Sequence, residues 1–140
     1  MLELELKPDL RRPGIYVLRE HKTGSADSLN YRPAIRSHVW RPPTDLFETG
    51  DEVVVRVEIA GMEETGFTVV LDGRDLFIRG VRADTSERRA YYQMEIRFGE
   101  FGTDVGLPVE VVSEEIQAVY TNGFLNIRLP KAQPQKIKVD

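Results

Sequence analysis

The sequence predicts an all-β protein, an antiparallel sandwich or barrel. Three observations carry this. Short apolar runs recur from Trp40 to Pro130 with turn residues between them; several runs alternate apolar and polar side chains; and nothing after residue 40 sustains a helical apolar repeat. About eight strands at this spacing suit two stacked sheets or a closed barrel.

The elements follow in order. Asp45–Glu48 is the first strand, closed by Thr49-Gly50-Asp51. Val53–Ile59 alternates cleanly: Val53, Val55, Val57 and Ile59 share one face, with Arg56 and Glu58 opposite, because successive strand side chains point to opposite sides. After Gly61 comes Phe67–Leu71, and Asp72-Gly73 supplies a hairpin turn into Asp75–Arg79. A charged loop, Arg82 to Arg89, leads into Ala90–Ile96, which is strand-like and rich in large side chains. Glu100–Leu107 places Phe101, Val105 and Leu107 on one parity and ends at Pro108. Glu115–Tyr120 and Phe124–Leu129 flank Asn122-Gly123, the strongest short hairpin signal in the chain, and Pro130 stops the pairing.

The ends read differently. Residues 1–40 form an arm with little pattern. Leu2–Leu6 alternates and can pair as a strand, Ile15–Leu18 is a short apolar run after Pro13-Gly14, and Thr23–Ser28 has the composition of a linker. Residues 41–130 hold the sandwich. Residues 131–140 form a polar tail, expected to be flexible, that ends in Ile137-Lys138-Val139-Asp140.

Composition excludes several classes of function. The 140 residues carry a net charge of -4, so no overall positive field attracts nucleic acid. The arm has seven Lys/Arg against five Asp/Glu, leaving -6 on the remainder. The nearest thing to a nucleic-acid surface, Arg11-Arg12 and Arg88-Arg89 with Tyr91-Tyr92, sits among acids and reads as a solvated face. With no cysteine there is no disulfide, thiol catalyst or thiolate metal site. The two histidines, His21 and His38, lie in the arm and do not make a metal or catalytic pair, and neither a G-x-S-x-G elbow nor a phosphate-binding glycine loop occurs. The expectation is a protein without cofactor, metal or catalytic residues. No apolar run approaches a membrane span, and Met1–Leu6 lacks the basic start and apolar centre of a signal peptide, so the cytoplasm is the expected location.

The strands also carry an ordered set of motifs. Pro43–Thr49 opens the set, Glu58-Ile-Ala-Gly61 resembles an L-P-G corner with Ala60 in place of proline, and Asp75–Gly80 resembles V-L-x-I-x-G. Ala118-Val-Tyr-Thr-Asn122-Gly123-Phe-Leu125 matches A-x-x-x-N-G-x-L and is followed by Leu129-Pro-Lys131, and Ile137-Lys-Val139 matches a terminal I-x-I/V. Together they span about residues 43–139 and resemble the α-crystallin domain of the small heat-shock (Hsp20) family. The resemblance implies an immunoglobulin-like antiparallel sandwich with a flexible arm and tail. It also implies ATP-independent holding of unfolding client proteins, and assembly of dimers into larger homo-oligomers. One departure stands out: where many members have F-x-R-x-F-x-L-P, this chain reads Phe101-Gly-Thr103-Asp-Val-Gly-Leu-Pro108. The arginine is implied in ion pairing at the family's dimer interface, so Thr103 predicts different dimer chemistry.

The resemblance assigns interaction residues. Ile137 and Val139 point the same way in an extended tail and need a groove, placed between the strands matching Phe67–Leu71 and Glu115–Tyr120 and lined by Phe67, Val69, Leu71, Ile116 and Ala118. Two such knobs contribute at most about 3–6 kcal/mol before ordering costs, weak and reversible singly but additive around an oligomer. Tyr91, Tyr92, Met94, Glu95, Ile96 and Arg97 belong to a strand expected to pair with a partner's Asp45–Glu48 edge, with Glu95 and Arg97 available for ion pairs. The alternative to exchange is an ordinary hairpin strand within one chain. Client contacts are expected from the groove and from Leu2, Leu4, Leu6 and Ile15–Leu18 of the arm. A structure in which the groove's sheet edge is fully covered by its own chain, in a lone subunit, overturns this docking. Two other sandwich readings compete: a co-chaperone or adaptor of the p23/CS type, distinguished by lacking the tyrosine-rich strand and the I-x-V tail, and a lectin-like module, which the single Trp40 does little to support.

Overall fold

The structure is a computed structural model and describes the backbone of residues 2–8 and 15–18, and residues 39–63 and 66–133 in full. Nine strands form among these residues: β1 (Leu2–Pro8), β2 (Ile15–Leu18), β3 (Thr44–Glu48), β4 (Glu52–Glu58), β5 (Phe67–Asp72), β6 (Asp75–Arg82), β7 (Gly99–Gly106), β8 (Gln117–Thr121) and β9 (Phe124–Pro130). Every strand pairing is antiparallel, in the order β3-β4-β9-β8-β1-β2-β5-β6-β7.

Two layers of this order face each other across one core. Val53, Val55 and Val57 of β4, Leu125, Ile127 and Leu129 of β9 and Ala118 of β8 meet Val69 and Leu71 of β5, Leu76 and Ile78 of β6, and Phe101 and Val105 of β7. The period of two places these side chains: β4 and β9 bury Val53, Val55, Val57, Leu125, Ile127 and Leu129 at alternate positions and turn Arg56, Glu58 and Arg128 outward. Thr103 shares the inward parity of β7 and is fully buried.

Turn chemistry sets the registers. Asn122 (φ 52°) and Gly123 (φ 81°) are both left-handed, as a two-residue type I′ hairpin requires, and they set Thr121 opposite Phe124. In the β5–β6 hairpin the paired residues are Asp72 and Asp75, so the central residues are Gly73 and Arg74 rather than Asp72-Gly73. Gly73 takes φ 62° at the first central position, the pattern of a type II′ loop. Gly80 is required for a different reason: a Cβ there would lie 2.5 Å from the Gly66 carbonyl oxygen and collide with the Phe101 ring.

Three segments differ from the sequence reading. The stretch before β8 is a 3-10 turn, Ser113–Glu115, so Ile116 is buried just outside the strand. Ala90–Ile96 forms no strand and, among the described residues, pairs with no strand of its own chain, so the within-chain hairpin alternative does not hold. In the arm, Leu2–Leu6 pairs as the strand its alternation suggests, and Ile15–Leu18, read only as a short apolar run, is a strand as well; the two join the sheet at β8 and β5. Trp40 also belongs to the sandwich. Its NH donates to the Glu100 carbonyl at 3.1 Å and its carbonyl accepts from the Gly102 NH at 2.9 Å.

Candidate interaction surfaces

Three surfaces emerge, each at a sheet edge. The first is the pair of edges on β8 and β5, where the tail groove is expected. Phe67, Val69, Leu71, Ile116 and Ala118 are all buried and belong to the core cluster. The strand edges themselves are taken. β1 pairs with β8 in the register Leu2↔Tyr120, Glu3↔Val119, Leu4↔Ala118 and Glu5↔Gln117, and β2 pairs with β5 through Ile15↔Asp72, Tyr16↔Leu71 and Val17↔Val70. β1 and β2 pair with each other as well, Leu6 opposite Leu18, so the arm hairpin bridges the two layers. In the single chain, then, the edges that a docking tail needs are covered by the chain's own arm. Ile137 and Val139 lie outside the described residues.

The second surface is the outer edge of β3, the end of the sheet order. Leu46 and Phe47 are exposed there, and the Arg56 guanidinium stands 5.3 Å from the Phe47 ring while donating to Asp45 Oδ2 at 2.9 Å. The third is the segment between β6 and β7. Tyr92 is fully exposed, Met94 and Ile96 are about two-thirds exposed (66% and 67%), and Tyr91 and Phe98 are also open. Large apolar side chains are thus concentrated and exposed on a stretch without secondary structure, which makes it a candidate association surface. Gln93 Nε2 bonds Glu95 Oε2, and the Tyr91 hydroxyl donates to Asp84 Oδ2 at 3.3 Å.

Arg82 anchors the root of that segment, a role sequence reading did not find. Its Nε donates to the Arg97 carbonyl at 2.9 Å and Nη1 to the Ala60 carbonyl at 3.3 Å. The guanidinium also lies 4.6 Å from the Trp40 ring and 5.3 Å from the Phe98 ring. One side chain thereby ties together both ends of residues 83–98 and the corner after β4. Nothing in the sequence spacing signals it, because the four partners are distant in the chain.

Near the β3 edge, the sequence departure at Thr103 has a defined environment. Thr44 Oγ1 lies 3.0 Å from Thr103 Oγ1 and 2.9 Å from the Pro42 carbonyl, joining the start of β3 to β7. On the neighbouring strand β6, Arg79 pairs with Asp104 at 2.5 Å. The signature hairpin, Ala118, Asn122, Gly123 and Leu125, proves structural in this chain: Ala118 and Leu125 are core, and the Gly123 carbonyl accepts from the Ile59 NH at 2.8 Å. Tyr120 completes that corner, donating to the Ile59 carbonyl at 2.8 Å and accepting from the Met62 NH at 3.3 Å.

These features describe an antiparallel β-sandwich with an open β3 edge and exposed apolar side chains between β6 and β7. Among the described residues there is no cluster of acidic or histidine side chains able to hold a metal, and no helix long and apolar enough to cross a membrane. The sequence model of the Hsp20/alpha crystallin family matches residues 45–140, and the chain belongs to that family. It is 27% identical over 113 residues to small heat shock protein C4 of Rickettsia felis, covering 79% of this chain and 69% of that one. The fold matches heat shock protein 16.0 from Schizosaccharomyces pombe with a TM-score of 0.65 at 29% identity, covering 71% of this chain and 94% of the other. It also matches a small heat-shock protein from Xylella fastidiosa, whose structure is described as revealing a distinct high order structure, with a TM-score of 0.59 at 27% identity over 72% and 97% of the two chains. Family membership supports a chaperone role.

Proposed function

We propose that this protein is an ATP-independent holdase of the cytoplasm that binds unfolding clients and works as a dimer-based homo-oligomer without catalytic chemistry. The observation that carries the reading is the partnerless apolar segment. Tyr91, Tyr92, Met94, Ile96 and Phe98 stand exposed on a chain stretch with no sheet partner, while the β3 edge, with Leu46 and Phe47, has an open row of backbone groups. An open edge and an unpaired apolar segment on the same subunit complement each other across a two-fold axis. Residues 90–96 of one copy pairing with Thr44–Glu48 of another satisfies both. Glu95 and Arg97, both exposed, are available for ion pairs in that interface.

Larger assembly is assigned to the tail. Ile137 and Val139 of one subunit dock at the β5 and β8 edges of another, beside Phe67, Val69, Leu71, Ile116 and Ala118. Because the arm covers those edges in the single chain, docking takes place by exchange with it. Clients are held by the apolar surface that such exchange uncovers. The monomeric adaptor reading draws support from the same coverage, which leaves a lone subunit with few open edges.

Native mass and heat-induced aggregation of a model client, measured without nucleotide, separate the two. The holdase reading expects an oligomer that suppresses aggregation and that shrinks when residues 137–140 are deleted. A monomer that leaves aggregation unchanged refutes it in favour of the adaptor.

A further inference from the structure

We infer that the arm hairpin β1–β2 is a removable plug: an intramolecular occupant of the β8 and β5 edges that must leave before the Ile137–Val139 segment of a second copy can enter. The inference rests on the tail docking proposed above and adds what controls it.

The placement is the argument. β1 and β2 form a self-contained hairpin that meets the body along the β8 and β5 edges, through four register pairs on one side and three on the other. Backbone groups of a strand edge serve one neighbour at a time, so β1 and an incoming strand at Gln117–Thr121 exclude each other. Among the residues whose side chains are described, one core joins β4 to β9, Trp40 and the segment between β7 and β8, so these elements pack on one another directly. Between Leu18 and Val39 lie twenty residues, a connection long enough to let the hairpin leave while the body stays folded. The sequences of the competing segments are alike in kind. Leu2-Glu-Leu-Glu-Leu6 and Ile137-Lys-Val139 each alternate aliphatic and charged residues, as a strand laid on a half-buried edge requires. A docking site populated only when its plug is out shows an apparent affinity lowered by the open fraction, so anything that frees the arm raises assembly and client capture.

A reversible lock tests this in the full chain. The protein has no cysteine, so Glu5→Cys with Gln117→Cys, opposite one another in the β1–β8 register, gives a single cross-link. A second full-length variant, Leu4→Pro, weakens the plug by placing proline within β1. Expected results are an oxidised double variant that falls to dimer, with client suppression reduced about tenfold or more and restored by reductant, and an L4P chain that suppresses more than wild type at equal concentration. The plug is overturned if the oxidised variant assembles and holds client as its reduced form does, or if L4P suppresses no better than wild type. Failure of the underlying holdase reading is distinct: wild type, reduced variant and L4P then all leave client aggregation unchanged.

Discussion

Two stretches of this chain carry similar residues and reach opposite fates. In β4 and β9, Val53, Val55, Val57, Leu125, Ile127 and Leu129 are completely buried, each strand lying between hydrogen-bonded neighbours. In residues 90–98, Tyr91, Tyr92, Met94, Ile96 and Phe98 are exposed although the stretch has comparable strand character. The difference is not propensity but the supply of edges. β4 finds β3 on one side and β9 on the other, whereas residues 90–96 pair with no strand of their own chain and take the β3 edge of a second subunit in the exchange proposed above. Residues 90–98 therefore carry the dimer contact proposed above.

Mutations break or sharpen the contrast. The largest effect is expected in the buried strand: Ile127→Ala removes a fully buried side chain from the middle of the core and costs about 2–5 kcal/mol of stability, read from the urea midpoint. A smaller loss is expected at the junction of the layers. Thr103→Val keeps the shape but leaves the Thr44 hydroxyl without its partner there, lowering stability by about 1 kcal/mol, while Thr44→Val added to it restores part of the loss in a double-mutant cycle. The smallest effect on folding belongs to the open segment. Ile96→Ser shifts the stability of the isolated subunit by no more than about 0.5 kcal/mol, yet lowers native mass by weakening the dimer. If Ile96→Ser destabilises the subunit as Ile127→Ala does, the two stretches are not different in kind.

Much of this architecture was legible in the linear pattern. The alternation of Val53 to Ile59 named the buried face of β4, and Asn122-Gly123 named its hairpin, because both are local: side-chain parity and positive φ depend on residues a few positions apart. The Asp72-Gly73 turn was misplaced by one residue, since Gly73 serves equally well at either central position and only the β5–β6 pairing decides which. Arg82 gave no signal at all. Its partners, Ala60, Arg97, Trp40 and Phe98, are brought to it by the fold.

The sequence alone determined the strands β3 to β9, most of their inward faces and the Asn122-Gly123 turn, because each depends on spacing along the chain, and its ordered motifs carried the resemblance to the Hsp20/alpha crystallin family. Tertiary structure decided who occupies the edges. It laid the arm hairpin on β8 and β5, buried the five residues expected to line a groove, and left residues 90–98 without a strand partner. Edge pairing is a competition among segments far apart in sequence for backbone hydrogen bonds that any strand can make. Its outcome rests on which segment can reach an edge, and local composition does not encode that.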